Sequence, residues 1–220
     1  ISDIIDSIIR FERIKKPVIL VADGAASIYA HHYACTRPEK VAGAVLFKPI
    51  PVDYRHWRTS LNELGDYKSP EEIARKRMIL ARLGLFRLVS PYRRQPARFK
   101  YGKLIAEFYN DPASYSAAIT EHSMIEKSID EIRQAGSFPK IPLTVLFPGE
   151  ESLIRQWVRN GTPDYTARQA ARMYRILSRD NLYLSPRSKL VELHDGVGPL
   201  HLEDPAVIAS HINSMIKSLR

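Results

Sequence analysis

The sequence has little cysteine and no long apolar run. Its single cysteine, Cys35, excludes an internal disulfide, and we expect a buried thiol because the surrounding helical stretch is apolar. No apolar run approaches the roughly 20 residues that a membrane-spanning helix needs, so the sequence predicts no transmembrane span. With 220 residues, of which 45% are hydrophobic, the chain is long enough to bury the core of a globular domain.

Acidic residues are missing from one long segment. None lies between Glu72 and Glu107, although ten lysines and arginines do, and these exceed the net charge of +9 for the whole chain. A basic amphipathic surface can meet anionic lipid, RNA or an acidic protein, whereas the plainer alternative is a solvated face whose cations pair with carboxylates. The predicted interaction surface comprises Arg75, Arg77, Arg82, Arg93, Arg94, Arg98, Lys100 and Lys103.

The signatures of several cofactor and metal sites are also missing. The sequence contains no phosphate-binding loop and no dinucleotide-binding fingerprint. His31 and His32 are adjacent, so on a helix they face different directions and are poorly placed to share one metal ion. We therefore predict no cofactor and no metal site.

The apolar pattern predicts an α/β fold with a parallel sheet. Continuous apolar runs such as VILVA and AGAVLF are typical of strands buried on both faces, which occur in parallel sheets covered by helices. The predicted strands are residues 17–22, 42–47, 142–147 and 189–194. The predicted helices are residues 2–12, 25–36, 70–86, 98–109, 112–134, 163–178 and 205–219, and three of them begin with a capping residue before proline: Ser69-Pro70, Asp111-Pro112 and Asp204-Pro205.

The alternation of strands and helices is interrupted by about 90 mostly helical residues. We expect residues 49–140 to form an inserted helical cap and residues 1–48 and 141–220 to form the core.

Three stretches resemble one family. Residues 17–30, PVILVADGAASIYA, resemble the α/β-hydrolase stretch P-x-V-L-V-G-H-S-x-G-G-x-x-A. Residues 37–49, RPEKVAGAVLFKP, are similar to xPExVxGLVLxDP, and residues 198–212, GPLHLEDPAVIASHI, are similar to H-x-x-H-L-x-x-P-x-x-V-x-x-x-I. The chain is identified as a member of the α/β-hydrolase superfamily. The resemblance implies an incomplete α/β-hydrolase-like parallel sheet flanked by helices, with an inserted helical cap.

The resemblance also carries the catalytic positions over, and each holds an unsuitable residue. The nucleophile position corresponds to Gly24, the general-base position to Gly198, and the acid position of many relatives to Lys48. Glycine has neither an attacking atom nor a group that moves a proton, so the Ser-His-Asp mechanism is lost. We therefore expect a chain that is not an enzyme and that acts as a structural or interaction subunit.

Two alternatives remain open. In the first, the chain is an esterase, lipase or epoxide-hydrolase-like enzyme whose catalytic groups lie at other positions or are completed by a partner. The remote candidates for these groups are Ser27, Glu150 and His194. In the second, the chain is a non-hydrolytic binder of a small apolar ligand, in a pocket that survives between sheet and cap.

The N-terminal part of the sequence predicts a partner. Only 16 residues precede the strand at 17–22, whereas the resemblance implies several earlier strands, so this strand should have an unpaired edge. We expect another polypeptide or a further N-terminal segment to cover it. The basic composition and a start at Ile1 favour an intracellular setting, as an accessory subunit of a large mitochondrial complex.

Overall fold

The computed structural model describes residues 1–89, 102–193 and 205–219. The chain divides into two compact units, the first formed by Ile1–Tyr67 with Glu126–Arg220 and the second by Lys68–Ile125. Residues 49–67 and 126–140 of the predicted cap thus belong to the first unit, and the cap as a separate domain of residues 49–140 stays a prediction.

The first unit contains a four-stranded sheet in the order β1-β2-β3-β4. Its strands are β1 Val18–Asp23, β2 Val41–Phe47, β3 Leu143–Pro148 and β4 Ser188–Leu193. All three strand pairs are parallel, which confirms the predicted fold class. The central strands β2 and β3 are buried along almost their whole length, as their continuous apolar sequences predict.

The described part of the chain contains eleven α-helices. They are α1 Ser2–Phe11, α2 Ala26–Thr36, α3 Tyr54–Glu63, α4 Pro70–Arg82, α5 Leu85–Val89, α6 Gly102–Asn110, α7 Pro112–Ser123, α8 Ile125–Ala135, α9 Glu150–Arg159, α10 Asp164–Ser178 and α11 Pro205–Ser218. No helix in residues 1–89, 102–193 or 205–219 is long and apolar enough to cross a membrane.

Two predicted helices are each divided in the structure. The prediction of one helix over residues 70–86 is wrong, because α4 and α5 are separated at Gly84, whose φ of +70° leaves the helical region. The prediction over residues 112–134 is wrong in the same way, since α7 ends before Met124 and α8 begins at Ile125. Two predicted caps are confirmed: Ser69 Oγ accepts from the Glu72 amide at 3.1 Å, and Asp111 Oδ1 accepts from the Ala113 amide at 2.9 Å.

The core of the first unit lies on both sides of the sheet. Tyr33 and Ala34 of α2 are fully buried in one cluster with Ala44 of β2 and Val145 of β3. A second cluster joins Val45, Phe47 and Leu146 to Ile208 and Met215 of α11. The two clusters hold the sheet between helices, so the ends of its strands are fixed.

A partly buried ion cluster attaches α1 to this core. The Asp6 carboxylate accepts from the Tyr33 hydroxyl at 2.9 Å, from Arg37 Nε at 2.9 Å and from Lys40 Nζ at 2.6 Å. These contacts, led by Lys40, hold the pKa of Asp6 well below its usual range. The cluster positions α1 so that Ile5 and Ile9 pack against the core.

The second unit consists of helices α4 to α7. Ala74 and Ala81 of α4 pack against Tyr115 of α7, whose hydroxyl donates to the Tyr109 carbonyl at 2.7 Å. Small alanine side chains allow the two helix backbones to approach closely.

Candidate functional site

Three predicted site residues follow the carboxyl ends of neighbouring strands. Gly24 follows β1, Lys48 follows β2, and Glu150 comes two residues after β3. The register pairs Asp23 with Phe47, and Phe47 with Leu146, so the carboxyl ends of these strands lie next to one another along one side of the parallel sheet. Open α/β sheets bind ligands at the carboxyl ends of their strands. Of the other three candidates, Ser27 lies in the first turn of α2, and His194 and Gly198 lie outside the described residues.

Gly24 forms a tight turn between β1 and α2. Its φ is +57°, and its amide donates to the Phe47 carbonyl at 2.9 Å while its carbonyl accepts from the Ser27 amide at 3.0 Å. A Cβ added at this position would meet nothing within 4 Å. The geometry is that of a strand, a tight turn and a helix, as in a nucleophile elbow, but the turn carries no attacking atom.

Lys48 places a cation beside this turn. The residue has a φ of +40°, an uncommon value for a residue other than glycine, and its amide donates to the Leu146 carbonyl at 2.9 Å. Its Nζ donates to Oε1 of Gln156 at 3.4 Å. Burial lowers the pKa of Lys48, and the nearby Asp23 carboxylate opposes that shift.

Ser27 is held as a structural residue. It is 4% exposed, and its Oγ accepts from the Ile50 amide at 3.1 Å, which attaches the loop after β2 to the first turn of α2. It lines a cavity of about 50 Å³ together with His31, Pro51 and Asn181. Such a volume suits about one or two water molecules and is far below that of a ligand pocket.

His31 lines the same cavity as Ser27, a neighbourhood that was not predicted. It lies four residues after Ser27, a spacing that puts both side chains on one helix face and could have identified the pair. Its ring meets the Phe138 ring edge-on, with centroids 5.3 Å apart. Burial, assisted by the adjacent His32, lowers the pKa of His31 to about 4, so the imidazole is neutral at physiological pH.

Glu150 belongs to a network of ion pairs at the start of α9. Its carboxylate lies 3.8 Å from Arg172 Nε and 3.6 Å from Arg175 Nη1, both on α10. Arg175 also pairs with Glu192 of β4 at 2.7 Å. These partners give the carboxylate a role in joining α9, α10 and β4.

The predicted interaction surface is described in part. Arg75 is exposed and pairs with Glu71 at 2.6 Å, Arg77 is half-buried, and Arg82 is exposed. The structure does not describe the remaining members, which are Arg93, Arg94, Arg98, Lys100 and the side chain of Lys103. In the described segments no group of three or more His, Cys, Asp or Glu residues is placed to hold a metal ion.

Known proteins resemble the chain in structure but not in sequence. No protein-family model and no curated protein matches it. A mutant of the haloalkane dehalogenase DatA from Agrobacterium tumefaciens is 13% identical with a TM-score of 0.55, and the match covers 98% of this chain and 72% of that one. A probable hydrolytic enzyme from Pseudomonas aeruginosa is 14% identical with a TM-score of 0.53, and the match covers 97% and 67%. Identities this low show the fold alone, and the neighbours are α/β-hydrolase-fold enzymes. The chain therefore has an α/β-hydrolase fold.

Proposed function

We propose that this chain is a non-catalytic α/β-hydrolase-fold protein that acts as a structural or interaction subunit. The observation that carries the proposal is Gly24, which occupies the turn between β1 and α2 with the backbone of a nucleophile elbow and no side chain. An acyl or alkyl group could not be held covalently at this position, because no atom is there to attack it.

The neighbouring residues support the same proposal. Lys48 supplies a cation where many relatives have a carboxylate, and Ser27 is buried and engaged by the Ile50 amide. Glu150 is occupied by arginines of α10. The cavity of about 50 Å³ beside Ser27 also argues against this space as an apolar ligand site.

We propose that the chain contacts its partner through a different surface from the basic one. This second surface comprises the edge of β1 that does not face β2 and the outer face of α1. Within the described residues β1 pairs with β2 only, so one row of its backbone groups has no strand partner. Val21 of this strand is 47% exposed. On α1, Ile5 and Ile9 pack inward, whereas Ile4 and Ile8 are 61% and 56% exposed.

The occupant of this surface is another polypeptide that adds a strand to β1. An open edge recognises an extended backbone through its N–H and C=O groups, and the exposed isoleucines would pack against apolar side chains of the same partner. The match covers about seven-tenths of the length of these structural neighbours.

The enzymatic part is tested with a fluorophosphonate serine probe and a panel of p-nitrophenyl esters. We expect neither labelling nor turnover. Stoichiometric labelling that disappears in a Ser27→Ala variant would overturn the proposal in favour of a displaced active site.

The surface is tested by sedimentation velocity of the chain expressed alone. We expect concentration-dependent association that is suppressed by the Ile8→Lys and Val21→Lys variants and unchanged by Ile176→Lys, a matched variant of an exposed isoleucine on α10. A monodisperse monomer at every concentration would contradict the proposal. A stable dimer that Val21→Lys dissociates would instead identify the occupant as a second copy.

The cellular setting that we propose is a large mitochondrial complex, on the basis of the basic composition. Imaging of the tagged protein tests it, and a distribution that avoids mitochondria would refute it.

A further inference from the structure

One face of α4 carries exposed aliphatic and cationic side chains together. Ala74 and Ala81 are buried against α7, and the opposite face of the helix is exposed. Ile79 and Leu83, one turn apart, are 55% and 67% exposed. We call this the α4 face, and its exposed members are Arg75, Lys76, Ile79, Leu80, Arg82 and Leu83.

The aliphatic residues of the α4 face are not explained by the core of the second unit. That core uses Ala74, Ala81 and Tyr115 with half-buried neighbours such as Met78 and Phe86. Ile79 and Leu83 lie on the other side of the helix, where water contact costs free energy that a polar residue would avoid. Exposed aliphatic side chains grouped on one helix face mark an interaction surface.

The sequence of the second unit carries a positive net charge. Residues 68–125 contain eleven lysines and arginines but only five acidic residues, so this unit holds +6 of the net charge of +9. At the start of α4, Arg75 pairs with Glu71 and Lys76 pairs with Glu72. At the other end of the helix, Arg82 is an exposed cation directly beside the exposed Leu83.

Two further elements of the same unit have related features. Leu85 of α5 is exposed, and Leu104 and Phe108 form an exposed i, i+4 pair on α6. Arg87 lines a depression together with Glu107 and Asp111, whereas Arg82 stands beside Leu83 on the α4 face. Arg82 is therefore the cation best suited to test the α4 face.

We propose that the α4 face binds the surface of an anionic lipid membrane. A bilayer interface takes up aliphatic side chains between its headgroups while its anionic phosphates attract the arginines beside them. RNA would also attract the cations but offers nothing to Ile79 and Leu83, since nucleic-acid surfaces are contacted through charge and aromatic stacking. This inference is independent of the non-catalytic assignment, because it concerns the second unit only.

Vesicle sedimentation with the full chain tests the proposal. The probes are large unilamellar vesicles of phosphatidylglycerol and phosphatidylcholine in equal parts, vesicles of phosphatidylcholine alone, and a single-stranded RNA oligonucleotide. We expect binding to the anionic vesicles that weakens with salt and little binding to the neutral vesicles.

Two variants separate the contributions of apolar contact and charge. Ile79→Ser with Leu83→Ser should weaken binding to anionic vesicles by about tenfold or more, because the aliphatic contact is lost. Arg82→Gln should weaken it by about fivefold and reduce its salt dependence. The matched controls are Ile176→Ser, whose side chain is 68% exposed in the first unit, and Arg159→Gln on α9, and neither should change binding.

Three outcomes would overturn the proposal. They are equal binding to neutral and anionic vesicles, no loss of binding in the Ile79→Ser/Leu83→Ser variant, and RNA binding that is tighter than vesicle binding and insensitive to that variant. Circular dichroism of each variant shows whether the fold is retained, which is expected because the substituted side chains are exposed.

Discussion

The Gly24 amide donates a 2.9 Å hydrogen bond to the carbonyl of Phe47, the last residue of β2. This bond ties the turn after β1 to the end of the neighbouring strand, directly before Lys48. The turn therefore keeps its position through the backbone alone, without any catalytic side chain.

Replacing Gly24 by serine tests whether the turn can still support catalysis. We expect Gly24→Ser to lower the free energy of unfolding by about 1–2 kcal/mol, because a φ of +57° is unfavourable for any residue with a Cβ. The space around the position is open, so no clash adds to this cost. Urea unfolding gives the stability and the fluorophosphonate probe gives the reactivity, which we expect to be absent.

The matched control is Gly65→Ser, since Gly65 has a φ of +69° and equally open surroundings. Both variants should lose similar stability. Stoichiometric labelling of Gly24→Ser alone would show that a functional base survives beside the turn.

Gly43 in β2 lies in close contact with Met215 of α11. A Cβ there would lie 2.7 Å from Met215 Sδ and 3.2 Å from the Pro142 carbonyl oxygen. We expect Gly43→Ala to lower the free energy of unfolding by about 1–3 kcal/mol, as overpacking of a core does. In the Gly43→Ala background, Met215→Ala should cost less than it does in the original sequence, because the clash is relieved. Additive losses in this double-mutant cycle, measured by urea unfolding, would exclude the clash.

His31 should make stability depend on pH below neutrality. Its pKa is about 4 in the folded chain against an ordinary value of 6.5, so the unfolded chain binds more protons between these values. The contribution of the neutral ring to the free energy of unfolding is fully present above pH 6.5. It is lost as the pH falls toward 4, because the folded chain resists protonation of the ring. The loss is at most about 3 kcal/mol.

His31→Gln should remove this slope from the unfolding free energy measured between pH 7 and pH 4. The exposed His56 provides a control, and His56→Gln should keep the slope of the original chain. Parallel curves for all three proteins would mean that His31 is protonated normally in the folded chain.

Lys48 should destabilise the fold through its buried charge. Because burial lowers its pKa, the unfolded chain takes up the proton more readily, and the penalty decreases as the pH rises toward the unfolded pKa of 10.5. We expect Lys48→Met to raise Tm by roughly 2–4 °C at pH 7, with a smaller gain at pH 10. Thermal unfolding of Lys48→Met and of the exposed control Lys15→Met checks this. A fall in Tm at pH 7 would show that the contact with Gln156 outweighs the charge penalty.

The central strands were predictable because nearly all of their residues are apolar. VAGAVLF in β2 is apolar without interruption and LTVLF in β3 is interrupted only by Thr144, a composition typical of strands in a sheet covered on both faces. Helix ends with Ser69 and Asp111 were predictable for a local reason as well, since each side chain bonds an amide two or three residues away.

Helices α3 and α9 were not predicted, and for α3 the reason is that few of its residues are apolar. Trp57 and Leu61 are the buried members of α3, and the rest of that helix is polar. The separation of α4 from α5 depends on one backbone angle at Gly84, which periodicity does not reveal.

The sequence by itself determined the parallel sheet, the glycine at the turn after β1 and the basic segment that begins in α4, because each follows from residue types in local order. Only the tertiary structure decided that Ser27 holds the Ile50 amide, that His31 shares its cavity, that Glu150 is engaged by α10, and that Ile79 and Leu83 face outward. These facts depend on contacts between segments distant in the chain, or on which face of a helix is covered, and a local pattern does not encode them.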